Sequence, residues 1–129
     1  MSDEAVLHIG EVAARTDLSL RSLRHWEEVG LLEPSGRSDG GFRLYTEADV
    51  DKVLVIRRMK PLGFSLDEMK AVMADIETLA DPNVAEDASS AARLRLVATQ
   101  QDASRRREKL VAQLAMADEF IDLVSARLG

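Results

Sequence analysis

The period of the apolar positions changes along the chain, and each change marks an element. Ile9, Val12 and Ala13 share one face of a short helix over Ile9 to Arg15. Thr16-Asp17-Leu18-Ser19 reads as a turn, with Ser19 the N-cap of a second helix from Leu20 to Glu28. That helix turns Leu20, Leu23 and the stem of Glu27 inward, and Gly30 stands where a helix C′ residue belongs. Two short helices joined this closely form a helix-turn-helix candidate. From Ser35 to Tyr45, "SGRSDGGFRLY", the period drops to two. Asp39-Gly40 predicts a primed hairpin turn, because such turns need positive φ. Phe42 and Leu44 alternate with Arg43 and Tyr45, so one edge can face a core and the other solvent or a partner. Taken alone, this stretch reads as a surface hairpin with solvated arginines.

Helical spacing then returns. Thr46 caps a third helix that keeps Val50, Val53, Leu54 and Arg57 in register to about Lys60, where Pro61 and Gly63 end it. Ser65-Leu66-Asp67-Glu68 is a capping box opening a fourth helix, with Leu66, Met69, Met73 and Ile76 as its apolar face. Asp81-Pro82-Asn83 breaks that pattern. A small-residue linker follows, and from about Ala91 one long helical pattern runs to Gly129 without Gly or Pro. Leu110, Leu114, Ala117, Ile121, Val124 and Leu128 form an a/d seam by their alternating spacing of four and three. Extended backwards, the seam passes through Arg107, Ala103 and Gln100 to Leu96 and becomes partly polar. A helix of about 38 residues is roughly 57 Å long at about 1.5 Å per residue. A preceding domain of this size cannot cover such a seam, so it calls for a partner helix, most simply a second copy of the chain. Folding back within one chain is the alternative. The resulting division is 1–78 for the helix-turn-helix and hairpin, 79–90 for the linker and 91–129 for the dimerisation helix.

Composition narrows the function classes. The chain has 129 residues, 46% hydrophobic and 31% charged, as expected of a helical soluble protein. It has no cysteine, which excludes disulfides, thiolate metal sites and thiol redox sensing. The polar N-terminus lacks the apolar run of a signal peptide, no segment has the length of a membrane span, and a cytoplasmic protein is expected. A net charge of −6 argues against nucleic acid as a partner, but local patches decide that question. Lys52, Arg57, Arg58 and Lys60 form one basic group, and Arg15, Arg21 and Arg24 a second around one helix. No nucleophile–base set or phosphate-cradling glycine loop is evident, so no enzyme is expected.

Residues Ile9 to Met73 resemble the MerR family of bacterial transcription regulators. The resemblance rests on "IGEVA" followed by Thr16, "RSLRHWEEVGLL", "GGFRLY" and "LGFSLDEM" in this order. It implies a mostly α fold: a winged helix-turn-helix domain and a long helix that dimerises as an antiparallel coiled coil. The second helix would enter the major groove of double-stranded DNA, and the hairpin would be the wing. Phe42 and Leu44 would then anchor the wing, leaving Arg43 and Tyr45 to meet phosphates. By the same resemblance Ser19, Arg21, Ser22, Arg24 and His25 should face the groove. Arg21 could pair with a guanine edge or with a phosphate. Arg15, Arg37, Arg57, Arg58 and Lys60 are further backbone candidates, each with an ordinary solvated charge as its alternative. His25 and Trp26 replace tyrosines common in the family, which leaves their DNA contacts open. Asp17 stands where the family often has glycine, and aspartate tolerates the left-handed conformation.

The resemblance further implies a homodimer on a pseudo-palindromic promoter site, distorting the spacer for RNA polymerase. A repressor, an excisionase-like architectural protein, or a coiled-coil scaffold without DNA binding are the alternatives. Metal sensors of the family use cysteines, and His8 and His25 make no ligand set, so no metal or cofactor is expected. Met69 and Met73 could line an adaptable pocket, but their spacing suits core packing. Whether a small-molecule effector exists is left open.

Overall fold

Capping residues set the element boundaries in this computed structural model, which describes residues 6–129. The first residues of the polar N-terminal stretch, read above against a signal peptide, lie outside the described residues. Five helices and one hairpin follow in the order α1 (Ile9–Thr16), α2 (Leu20–Glu28), β1 (Gly36–Arg37), β2 (Arg43–Leu44), α3 (Glu47–Met59), α4 (Leu66–Ala80) and α5 (Glu86–Leu128). A 3-10 turn, Lys60–Leu62, joins α3 to α4 and ends at Gly63 with φ 80°. Ser19 caps α2 by accepting a hydrogen bond from the Ser22 N–H at 3.0 Å. Thr46 and Asp49 form a reciprocal capping box at α3, and Ser65 and Glu68 form another at α4. Each box satisfies orphan donors of a first turn from both directions.

The turn between α1 and α2 depends on one left-handed residue. Asp17 has φ 56° and ψ 43°, as expected for an aspartate there, and the Leu18 N–H closes the helix on the Ala13 carbonyl at 3.1 Å. The buried Thr16 hydroxyl donates to the Val12 carbonyl at 2.7 Å. The Thr16 carbonyl in turn accepts from the Arg57 guanidinium at 2.8 Å. An arginine of α3 therefore satisfies a carbonyl at the end of α1, which helix termini otherwise leave unpaired.

The hairpin differs from its expected turn. Ser38 and Phe42 close a three-residue loop, the Gly41 N–H bonds the Ser38 carbonyl at 2.8 Å, and the positive φ (80°) falls on Gly41. Asp39 and Gly40 both keep negative φ, so the turn is not a primed one. With three loop residues, the left-handed position moves to the third, as in a type I turn followed by a bulge. Leu7 adds a further rung, exchanging two backbone hydrogen bonds of 2.8 Å with Tyr45. Nothing in the local sequence pattern marks that pairing.

The chain divides into two compact units, residues 1–77 and 78–129. The core of the first is built from Val12, Leu23, Trp26, Leu31, Leu32, Val50, Val53, Ile56, Phe64, Met69, Val72 and Met73. Leu20 and Leu66, expected inward, are 39% and 37% exposed, because each opens its helix at the first turn. Helix α5 begins at Glu86, not near Ala91, with Ala85 as N-cap. The residues "EDASSA" read as linker are good enough helix formers to extend it backwards.

Candidate nucleic-acid interface

Helix α2 has two faces of opposite chemistry. Leu23 and Trp26 are buried, at 0% and 4% exposure, and fasten the helix to the core. On the outer side Leu20, Arg21, Arg24, His25 and Glu28 line an open groove. The 3.6-residue period keeps these side chains together once Leu23 and Trp26 point inward. Arg21 and Arg24 make no ion pair among the described residues, so their donors are available. Ser22 is half-buried, and the Ser19 hydroxyl donates to its Oγ at 3.0 Å. Trp26 belongs to the core, which answers the question its position raised.

The wing places its residues differently from the expected alternation. Phe42 is 68% exposed, whereas Tyr45 is 1% exposed and among the most deeply buried side chains. Tyr45 is therefore not a phosphate contact. Its backbone pairs with Leu7, which draws the ring inward, and its hydroxyl donates to the Glu27 carboxylate of α2. Burial, reinforced by the hydrogen bond to Glu27, pushes the Tyr45 phenol well above its ordinary pKa. The neighbouring Arg43 ion-pairs through Nε with the other Glu27 oxygen, while 38% of its side chain stays exposed. Arg37 is exposed and donates to the Gly41 carbonyl at 3.2 Å, across the hairpin from Arg43. Ser35 at the wing base donates to the buried Asp49 at 2.5 Å, which ties the wing to the start of α3.

The remaining basic candidates fall into two groups. Arg15 is held by Glu47 through two hydrogen bonds of 2.6 Å. That contact raises the Arg15 pKa and lowers the Glu47 carboxyl below its ordinary value. Arg57 donates to the Thr16 carbonyl and is thereby partly structural. Arg58 and Lys60 are exposed, without an ion pair among the described residues. The residue that sequence reading missed is Glu27. Its stem was expected inward, but the carboxylate joins two wing side chains. An acid on the inward face of a helix, needing partners from elsewhere, was the available signal.

In the second unit, α5 is about 65 Å long at about 1.5 Å per residue. Leu96 and Val124 are half-buried. Leu110, Leu114, Ile121 and Leu128 of the seam are 42%, 63%, 59% and 84% exposed, and Ala117 is also exposed. Val111, Met116, Phe120 and Leu123 widen the open apolar surface over the same stretch. Among the described residues no group of three or more His, Asp or Glu side chains is arranged to hold a metal ion, and no helix is long and apolar enough to cross a membrane.

Residues 7–76 match the family model described as MerR HTH family regulatory protein. The chain is 40% identical over 116 residues to the HTH-type transcriptional regulator CueR of Vibrio cholerae, covering 89% of this chain and 78% of that one. Among solved structures it resembles the N-terminal part of the Bacillus subtilis multidrug transporter activator MtaN, at 30% identity and TM-score 0.55, over 95% of this chain and 97% of that one. A MerR family transcriptional regulator from Bacillus cereus is similar at 25% identity and TM-score 0.63, over 92% of this chain and 76% of that one.

Proposed function

The chain belongs to the MerR family of DNA-binding transcriptional regulators, and we propose that it acts as a homodimer on a pseudo-palindromic promoter site. The observation that carries this reading is the outer face of α2, where Arg21 and Arg24 stand exposed and, among the described residues, without ion pairs. Arginine there suits guanine O6 and N7 in a major groove, or phosphate oxygens beside it. His25 lies on the same face and Ser19 and Ser22 at its start. Arg37 and Arg43 of the wing, with Arg57, Arg58 and Lys60 of the following elements, supply backbone contacts that orient the domain without reading sequence. Residues 1–78 thus carry DNA binding, and 91–129 carry dimerisation.

The open seam from Leu110 to Leu128 supports the dimer, since a single chain leaves it facing water. Two copies paired antiparallel could hold two winged domains about one DNA turn, roughly 34 Å, apart. On a promoter whose elements are too far apart, bending and undertwisting the spacer would bring them into phase for RNA polymerase. Such deformation costs on the order of 1–6 kcal/mol, which the backbone contacts of two wings and two α2 helices would offset. No step of this reading needs a metal, a cofactor or a catalytic group.

The test is a footprint of the purified protein on DNA upstream of its own gene. Protection centred in an overlong spacer is the expected result. Protection over a normally spaced promoter would assign repression by occlusion instead. Absence of protection at low salt would refute DNA binding by the protein as purified.

A further inference from the structure

We infer that Glu27 is a positioning residue for DNA binding, holding Arg43 of the wing through its Nε so that the terminal amino groups stand ready for a phosphate. This deepens the DNA-binding reading and rests on it. Three observations meet at Glu27. Its side chain is only 9% exposed, and its two oxygens serve two different wing residues. Tyr45 donates its hydroxyl to one oxygen, and the other faces Arg43 Nε. That Nε is itself buried and makes no aligned hydrogen bond among the described residues, so what joins it to Glu27 is the charge pairing of a close, desolvated contact. The part of Arg43 left in solvent therefore lies toward its terminal amino groups, which make no hydrogen bond among the described residues.

A planar guanidinium ion-paired along its Nε edge keeps two terminal donors turned outward as a fork, the arrangement that suits phosphate oxygens. Left free, the same side chain would have to be immobilised at each binding event. That ordering weakens affinity by a factor of roughly 2 to 12 for one rotamer-rich side chain. The wing also places Arg37 directly opposite Arg43. Like charges facing one another across a strand pair are unfavourable. A pair kept in spite of that repulsion, with a buried acid beneath one member, fits a device for meeting an anion. Glu27 sits on α2, so it also joins the helix that reads bases to the hairpin that meets the backbone.

The experiment compares duplex binding by the full chain, wild type and variants, to a mixed-sequence DNA duplex at low salt by fluorescence anisotropy. Glu27→Gln keeps an oxygen for the Tyr45 hydroxyl and removes the charge that holds Arg43. Loss of a negative charge near DNA should by itself tighten binding. The inference requires the opposite, a weakening of roughly 2- to 12-fold per protomer. Arg43→Ala should weaken binding, and Glu27→Gln should add nothing in that background. Arg43→Lys keeps the charge but cannot pair with Glu27 and still present two outward donors, and should lose affinity as Glu27→Gln does. It therefore serves as the second arm if the Glu27 variant unfolds. Arg43→Ala weaker with Glu27→Gln and Arg43→Lys unchanged or tighter would overturn the positioning role and leave the DNA-binding reading standing. Arg43→Ala without effect would overturn both this inference and the assignment of the wing.

Discussion

Replacing Leu114 and Ile121 together by alanine should convert the proposed dimer into a monomer at concentrations where the wild type is paired. These residues are 63% and 59% exposed in the single chain. Full burial of a leucine or isoleucine side chain is worth about 1.5–3 kcal/mol. Covering the open fraction of each in a partner interface therefore contributes about 1–2 kcal/mol. Both residues are present in both copies, so the double substitution should weaken association by about 4–7 kcal/mol. At about 1.4 kcal/mol per tenfold, that range corresponds to about a thousandfold to a hundred-thousandfold in the dimer dissociation constant, and the lower end is the expected rise. The magnitude is an upper figure, since the alanine methyls still bury some area and free helices bury some of their own.

Sedimentation equilibrium over a range of concentrations measures the change directly. Leu94→Ala is the matched control. Leu94 is more exposed than either seam residue, at 72%, but lies off the four-three register. It should leave the dimer constant within about threefold, because scattered surface apolar residues need no partner. The reasoning fails if the double variant keeps the wild-type constant, or if Leu94→Ala weakens the dimer as much. The first result would remove these seam positions from association, and the second would mean that apolar exposure, and not the register, governs it. Circular dichroism of the variant must show the helix retained, since alanine raises intrinsic helix propensity and cannot be blamed for its loss.

Tyr45→Phe leaves the buried Glu27 without one of its donors, so unfolding free energy should fall by about 1–3 kcal/mol in urea titration; an unchanged midpoint would contradict the buried hydrogen bond. DNA affinity should fall with salt on a log–log slope of roughly −5 to −9 for about 6–10 phosphate contacts per dimer, and a flat slope would remove the DNA-binding reading. Arg21→Ala should relax specificity at one base pair in each half-site, measured by selection on a randomised site, whereas equal weakening on every sequence would reassign Arg21 to the backbone. Because Arg15 holds the Glu47 carboxyl below its ordinary value, the pair stabilises the fold above the ordinary carboxylate pKa. That contribution fades as pH falls through the depressed value, so Glu47→Gln should make the acid limb of the stability profile shallower at low salt, and identical profiles would sink the pairing as a source of stability.

The parts legible in the sequence were those fixed by contacts within a few residues. Ser19, Thr46 and Ser65 cap helices because each side chain reaches a backbone N–H three positions on. Asp17 and Gly30 could be assigned left-handed geometry for the same local reason. The wing was misread where distant contacts decide. Alternation through Phe42 to Tyr45 separates two faces but does not say which is inside. Leu7, from before α1, settles it by pairing with Tyr45. The third loop residue, Gly41, took the positive φ that a two-residue turn would have put on Asp39 and Gly40. Glu27 escaped notice because its two partners arrive from a hairpin that the sequence places well downstream.

The acidic balance of the chain looked like the strongest objection to DNA, and the structure shows how the acids are used. Within the first unit Asp49 and Asp75 are buried. Asp49 and Glu68 serve capping boxes, and Glu11 accepts from the His8 N–H at the start of α1. Glu27, Glu47 and Glu77 are paired with Arg43, Arg15 and Lys52. These carboxylates stabilise helix starts and tertiary contacts, where an opposite partner or a positive helix end lies close by. Among the described residues the arginines of the outer α2 face have no such partner. At a Debye length of about 10 Å in 0.1 M salt, a DNA duplex senses the nearest charges far more than the sum over the chain. A net charge of −6 is thus compatible with a cationic binding face. Among the described residues lining the α2 groove, Glu28 is the acid, a single turn from Arg24 and near His25.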